Sequence, residues 1–138
     1  MRIEKTVLLI DDDKDDLEML EDALKLIKAD HQVIEAGDGL EAIKTLELLV
    51  SQERLPCLIV LDVNLPKLDG KQTFLAIKSN NELRHIPIVI FSTSRNAMDR
   101  IFFEKHNTAY FVKPVNFSDF ASTASQMIDA CYHRAGGH

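Results

Sequence analysis

The chain has 138 residues, 46% of them hydrophobic and 28% charged, with few glycines and prolines. That length fits one domain with a real core, and the composition is that of an ordinary folded protein. A net charge of −6 argues against nucleic acid or an anionic membrane as a direct partner, and no apolar stretch approaches the roughly 20 residues of a membrane span.

The N-terminus enters a strand pattern directly, without the h-region of a signal peptide, so the cytoplasm is the expected compartment. Thr6 to Ile10 (TVLLI) reads as a strand buried on both faces, ending in Asp11. From about Lys14 to Lys28, Leu17, Leu20, Leu24 and Ile27 recur at helical spacing, and the preceding aspartates favour a helix N-terminus. Gln32 to Ala36 is a second strand. Gly37–Asp38–Gly39 then turns the chain into a helix bearing Leu40, Ile43, Leu46 and Val50. Ser51 to Pro56 is polar, ends in proline and reads as a loop.

Leu58 to Leu61 is a third buried run. It stops at Asp62, and Pro66, Asp69 and Gly70 mark the turn beyond it. A helix with Phe74 and Ile77 fades at Ser79–Asn80–Asn81. Ile86 to Phe91 is a fourth strand, followed by Ser92–Thr93–Ser94. A helix near Asn96 to Lys105 should turn Ala97 and Ile101 inward, and of the adjacent Phe102 and Phe103 one should face outward. Ala109 to Val112 is a fifth strand, ending at Lys113–Pro114. The last helix aligns Phe117, Phe120, Ala121, Ala124, Met127, Ile128 and Cys131 on one stripe, and the tail from Ala135 to His138 is expected to fray. Cys57 and Cys131 make no disulfide framework; both read as small core residues in a reducing compartment.

Five strands alternating with five helices, without period-two alternation, predict a parallel sheet with helices on both faces. The whole chain, 1–138, reads as a single domain. Polar side chains interrupt the apolar runs at four strand C-termini: Asp11 and Asp12, Asp62, Ser92, and Lys113. Ligands of open α/β sheets bind at that edge. An isolated Asp62 would be read as a strand cap; four strand ends converging on one edge point to a site. Clustered carboxylates repel, a pair at 4 Å by roughly 4 kcal/mol at an effective dielectric of 20. Protons or a hard cation must therefore settle among them, and Mg²⁺, which prefers oxygen and bridges phosphate, fits better than Ca²⁺. No His or Cys pairs with the acids, which excludes a zinc reading there.

The pieces LLIDDD (Leu8 to Asp13), LDVNLPKLDG (Leu61 to Gly70), PIVIFST (Pro87 to Thr93) and AYFVKP (Ala109 to Pro114), in this order and at these separations, resemble the receiver domain of bacterial two-component response regulators. IKSNNELRHIP (Ile77 to Pro87) and Ser92–Thr93–Ser94 further resemble the stand-alone receivers that partner phytochrome-type and hybrid sensor kinases. The resemblance implies a flavodoxin-like, CheY-like fold with strand order 2-1-3-4-5. It makes Asp62 the acceptor of a phosphoryl group from a histidine kinase or histidine phosphotransfer protein. Asp11 and Asp12 match the acidic pair that binds Mg²⁺, and Asn64 the position that gives it a backbone carbonyl. Ser92 matches the switch hydroxyl, Lys113 the family's lysine and Tyr110 its aromatic switch. Asn64 and Ser94 stand at positions that tune dephosphorylation. A cis peptide between Lys113 and Pro114 is implied too. The implied protein is a signalling switch that catalyses only its own phosphorylation and dephosphorylation. Its output would be a downstream protein target or a homodimer formed through the fourth helix, fifth strand and fifth helix.

Asp13, Asp15 and Asp16 read as a solvated helix start, and the five histidines, on predicted loops and the tail, receive no role. An aspartate-nucleophile phosphatase would need a second acid at position 64, where Asn64 stands. A dinucleotide site would need glycines where the first strand gives way to aspartates. A receiver that docks passively, without phosphorylation, stays open, with the intact Asp/Asp/Asp/Ser/Lys set against it.

Overall fold

β1 (Arg2–Ile10), β2 (Gln32–Ala36), β3 (Arg54–Leu61), β4 (Ile88–Ser92) and β5 (Tyr110–Val112) alternate with α1 (Lys14–Leu26), α2 (Gly39–Ser51), α3 (Gly70–Lys78), α4 (Ala97–Lys105) and α5 (Phe117–Ile128). This is the arrangement in a computed structural model that describes residues 2–131. A 3-10 turn, Asp129–Cys131, follows α5. The strands are all parallel in the order β2-β1-β3-β4-β5, the doubly wound sheet expected. The expected fraying of the tail, with His133 and His138, lies outside the described residues. No helix among the described residues is long and apolar enough to cross a membrane.

Strand side chains alternate between two buried layers. Leu8, Ile10, Ile59, Leu61 and Ile90 pack under α2, α3 and α4, where Leu46, Phe74, Ile77 and Phe103 meet them. Val7, Leu9, Leu58, Val60 and Phe91 pack under α1 and α5 against Leu20, Leu24, Phe120, Ala124 and Met127. Burial on both faces explains why the strands read as unbroken apolar runs. Every helix begins at an Asp or Asn whose side chain accepts backbone N–H bonds: Asp13, Asp38, Asp69, Asn96 and Asn116. Asp69 and Gln72 complete a reciprocal capping box. Gly70 is required by close approach, since a Cβ there would lie 2.4 Å from the Asp62 carbonyl oxygen. α3 is thereby seated directly against the backbone that presents Asp62.

Five expectations are corrected. Residues 51–56 are not a loop: α2 runs to Ser51, the chain turns at Glu53 with φ 59°, and β3 already begins at Arg54. Pro56 is tolerated because β4 joins β3 only from Ile59 onward, leaving one edge of β3 open at that point. Ala97 and Ile101 are exposed. Phe103 is fully buried instead, edge-on to Phe74 with ring centroids 5.3 Å apart. Ile101 lies about 200° around the helix from Phe103, so the larger ring takes the inward place. Phe102 is half-buried on Phe74 and His106, and Phe117, placed on the inner stripe of α5, is 38% exposed.

The cysteines are not separate thiols. Cys57 and Cys131 form a disulfide, their Cα atoms 4.8 Å apart across 74 residues of chain. The 3-10 turn folds Cys131 back onto the start of β3, under the α1/α5 layer that holds Cys57. Finally, no peptide bond among the described residues is cis, so Lys113–Pro114 is trans. Trans is the lower-energy isomer by about 0.5–1 kcal/mol for such bonds. With it the Lys113 N–H still donates to the Ser92 carbonyl at 2.9 Å, which aims the side chain at the sheet edge.

Candidate functional site

Parallel strands point the same way, so their C-terminal ends share one edge, and each polar residue that ends an apolar run arrives there. Asp11 follows β1, Asp62 follows β3, Ser92 closes β4 and Lys113 follows β5. All four are buried, between 0% and 7% exposed. Lys113 Nζ is the hub. It donates to Asp11 Oδ2 at 2.6 Å, to Asp16 Oδ2 at 2.7 Å and to Asp62 Oδ2 at 3.0 Å.

Backbone groups fix the remaining carboxylate oxygens. The Asp13 N–H donates to Asp11 Oδ1 at 2.9 Å, and the Asn64 N–H donates to Asp62 Oδ1 at 3.2 Å. The Ser94 N–H donates to Ser92 Oγ at 3.2 Å. Asp12 is exposed, but its carboxylate lies within 4.8 Å of those of Asp11 and Asp62. It lines, with Asn64, Pro66, Lys71 and Asp99, an open cleft of about 480 Å³ beside the buried acids. Lys71 pairs with Asp99 at 2.8 Å, and the Ser94 hydroxyl donates to Asp99 at 2.7 Å, tying the loop after β4 to the start of α3.

One ammonium thus faces Asp11, Asp16 and Asp62, with Asp12 alongside. Burial pushes the Asp11 carboxyl up to about 6, against the opposing pull of Lys113 and the Asp13 N–H, and the Asp62 charge adds to the rise. For Lys113, burial alone would lower the pKa; its bonds to Asp11 and Asp16 and the field of Asp62 overcome this and raise it above the ordinary lysine value. The pocket retains an excess of negative charge. An all-oxygen donor set of this kind suits a hard divalent cation, and Asp11, Asp12 and Asp62 are the side chains that could hold it.

Asp11, Asp12, Asp62, Asn64, Ser92 and Lys113 are therefore gathered at one edge as expected. Tyr110 is not among them: it is half-buried toward α4, its hydroxyl donating to the Ser94 carbonyl at 2.8 Å and its ring lying 5.2 Å from the Arg100 guanidinium. Asp16 is the residue the sequence reading missed. By spacing alone it falls with Asp13 and Asp15 in a solvated helix start, and Asp13 is indeed the N-cap of α1. Asp16, however, stands in the first turn with its carboxylate on Lys113. The available signal was its place three residues after the cap, on the turn nearest the strand ends.

The chain belongs to the response regulator receiver domain family, whose model matches residues 7–125. Receivers of this family are signalling domains of two-component systems rather than enzymes acting on a separate substrate. Response regulator Rcp1 of Synechocystis is 39% identical over 118 residues, covering 83% of this chain and 80% of that protein. Among solved structures, the phosphorylated cyanobacterial phytochrome response regulator RcpA superposes with a TM-score of 0.80 at 32% identity, covering 89% of this chain and 90% of that one. The Mn²⁺-bound form of Rcp1 superposes with a TM-score of 0.75 at 33% identity, covering 88% and 89% respectively.

Proposed function

We propose that this chain is a phosphoacceptor switch in a cytoplasmic two-component phosphorelay, with Asp62 as the acceptor. The observation that carries the reading is the Asp62 carboxylate: buried, held at 3.0 Å by Lys113 Nζ and within 4.8 Å of both Asp11 and Asp12. An Asp62 carboxylate oxygen attacks the phosphorus of a phosphohistidine on a sensor kinase or phosphotransfer protein. The O–P bond forms as the P–N bond breaks, and the departing imidazole keeps the electron pair and takes a proton. Asp11, Asp12 and Asp62, with the Asn64 carbonyl, would hold Mg²⁺, which when bound would supply charge neutralisation to the phosphoryl oxygens. Lys113 supplies a second cation. The Asn64 N–H orients the attacking carboxylate, and the Ser92 hydroxyl is the donor toward a phosphoryl oxygen.

The same contacts make the switch. Phosphate on Asp62 draws Ser92 and Lys113 toward its oxygens, and Ser92 ends β4 while Lys113 directly follows β5. The Ser94 carbonyl that anchors the Tyr110 hydroxyl is two residues beyond Ser92, so a shift there frees Tyr110 to turn inward. The surface that changes is the face of α4, β5 and α5, with exposed Ser118, Ser122 and Ser125 on α5. It is the place for a downstream protein or a second copy of the chain.

Intact mass after incubation with acetyl phosphate or phosphoramidate, with and without Mg²⁺, tests the chemistry. Wild type should gain one phosphoryl group only with Mg²⁺, and Asp62→Asn none. Equal labelling of the two removes Asp62 from the role.

A further inference from the structure

The opposite end of the sheet gathers a second set of reactive side chains. His31 lies in the connection just before β2, Cys57 near the start of β3 and Cys131 in the 3-10 turn after α5. An imidazole nitrogen and the two sulfurs lie within 4.8 Å of one another. Cys57 is 4% exposed, while His31 and Cys131 are half-buried. Three segments far apart in the chain thus bring three soft or borderline donors to one point. No carboxylate belongs to the group, so its preference is opposite to that of the acidic cluster.

We propose that reduction of the Cys57–Cys131 disulfide converts this cluster into a Cys₂His site for a thiophilic divalent cation, zinc being the fitting one. The far end of the fold then alternates between a covalent staple and a metal clip. In the first step a small-molecule thiol attacks the sulfur of Cys131, the more exposed of the two cysteines. The S–S bond breaks, Cys57 leaves as the thiolate and a mixed disulfide remains on Cys131. A second thiol attacks that mixed disulfide, releasing Cys131 and a small-molecule disulfide. Two thiols are oxidised to one disulfide, and the protein gains two electrons and two protons. The cation displaces those two protons from the sulfurs when it binds.

The geometry allows it. Zinc takes sulfur at about 2.3 Å and imidazole nitrogen at about 2.0 Å, and tetrahedral angles put two such sulfurs about 3.8 Å apart. With Cα atoms 4.8 Å apart, side-chain rotation at the two cysteines reaches that separation without moving the backbone. Three protein ligands leave the fourth position to water.

Cobalt(II) is the probe, titrated into the full-length protein after phosphine reduction. The reduced wild type should develop a thiolate-to-cobalt charge-transfer band and intense visible bands of a tetrahedral ion, saturating at one equivalent and bleached by zinc. Carboxylate-bound cobalt gives no such charge-transfer band, so the acidic cluster does not interfere. The oxidised protein should show none, which controls for the cysteines without a variant, and Cys57→Ser and Cys131→Ser should match it. His31→Ala should bind about ten-fold more weakly or worse, with its fold checked by circular dichroism and Mg²⁺-dependent labelling of Asp62. Absence of the band in reduced wild type overturns the site. Equal affinity in His31→Ala overturns the assignment of its third ligand.

Discussion

The two ends of β3 do opposite kinds of chemistry. Asp62, just past its last residue, sits among acids and an ammonium, whereas Cys57, about 17 Å earlier along the strand, is cross-linked to Cys131 beside a histidine. At the first end the parallel sheet does the gathering, because β1, β3, β4 and β5 all terminate there and each delivers a polar side chain. At the second end the sheet delivers one cysteine only. The partners come from a connection before β2 and a turn after α5. The electrostatic end is held together by interactions that cost desolvation. The sulfur end is held by a bond that closes a loop spanning over half of the chain.

That contrast orders the expected effects. Reduction of the disulfide, or Cys57→Ala, frees a 74-residue separation. In the chain-entropy account this costs about 4 kcal/mol, and urea unfolding of oxidised and phosphine-treated protein in chelator measures it. An unchanged midpoint would make the two ends energetically alike. At the acidic end the largest effect should come from Lys113→Met, which leaves Asp11, Asp16 and Asp62 facing one another. The loss should be about 3 kcal/mol in metal-free protein, and smaller below the pH at which Asp11, already raised to about 6, takes a proton. Added Mg²⁺ should restore much of it, since a cation can replace the ammonium. If Mg²⁺ restores nothing, the acids do not share a cation site.

The same contrast governs what could be read from the sequence. Asp11, Asp62, Ser92 and Lys113 were legible because each interrupts an apolar run, and a parallel sheet turns four interruptions into one location. Asp16 was not legible. Its inward aim depends on how α1 leaves β1, and a run of five aspartates in six residues conceals which one is buried. The disulfide was hidden for a related reason. Arg54 and Pro56 disguise the start of β3, so Cys57 could not be placed on the α1/α5 side, and no local pattern joins it to Cys131. α4 was misread because its surface carries Ile101 and Met98 while its inner face relies on Phe103 alone for full burial.

A smaller effect separates the metal reading from a merely structural acid cluster. Asp12 is exposed and adds repulsion without touching Lys113, so Asp12→Asn should stabilise metal-free protein by less than about 1 kcal/mol. It should also lose most of the rise in melting temperature that Mg²⁺ gives the wild type. Equal Mg²⁺ shifts in both proteins would move the cation away from Asp12.

The smallest effect belongs to a separate acid pair away from both ends, on which Lys25 acts only through its charge. Glu21 on α1 is hydrogen-bonded to Glu35 on β2, and that bond, aided by some burial and by the charge of Glu35, raises the Glu21 carboxyl to about 7. A proton therefore does between these two groups what Lys113 does among the strand-end aspartates. The folded state holds that proton at pH values where the unfolded chain has lost it. Its stabilisation is thus fully present below the unfolded glutamate value, and it is lost as pH rises through about 7. Glu21→Gln keeps a donor to Glu35 at every pH, so the variant should match wild type near pH ~4.5 and exceed it above pH ~7. Comparing the two proteins cancels the titration of Asp11, which is common to both. Because Glu35 is exposed and Glu21 only half-buried, water screens the pair and the difference in urea midpoint should be small. A parallel pH dependence in the two proteins would mean that Glu21 and Glu35 share no proton, leaving Lys113 as the device that neutralises clustered acid in this fold.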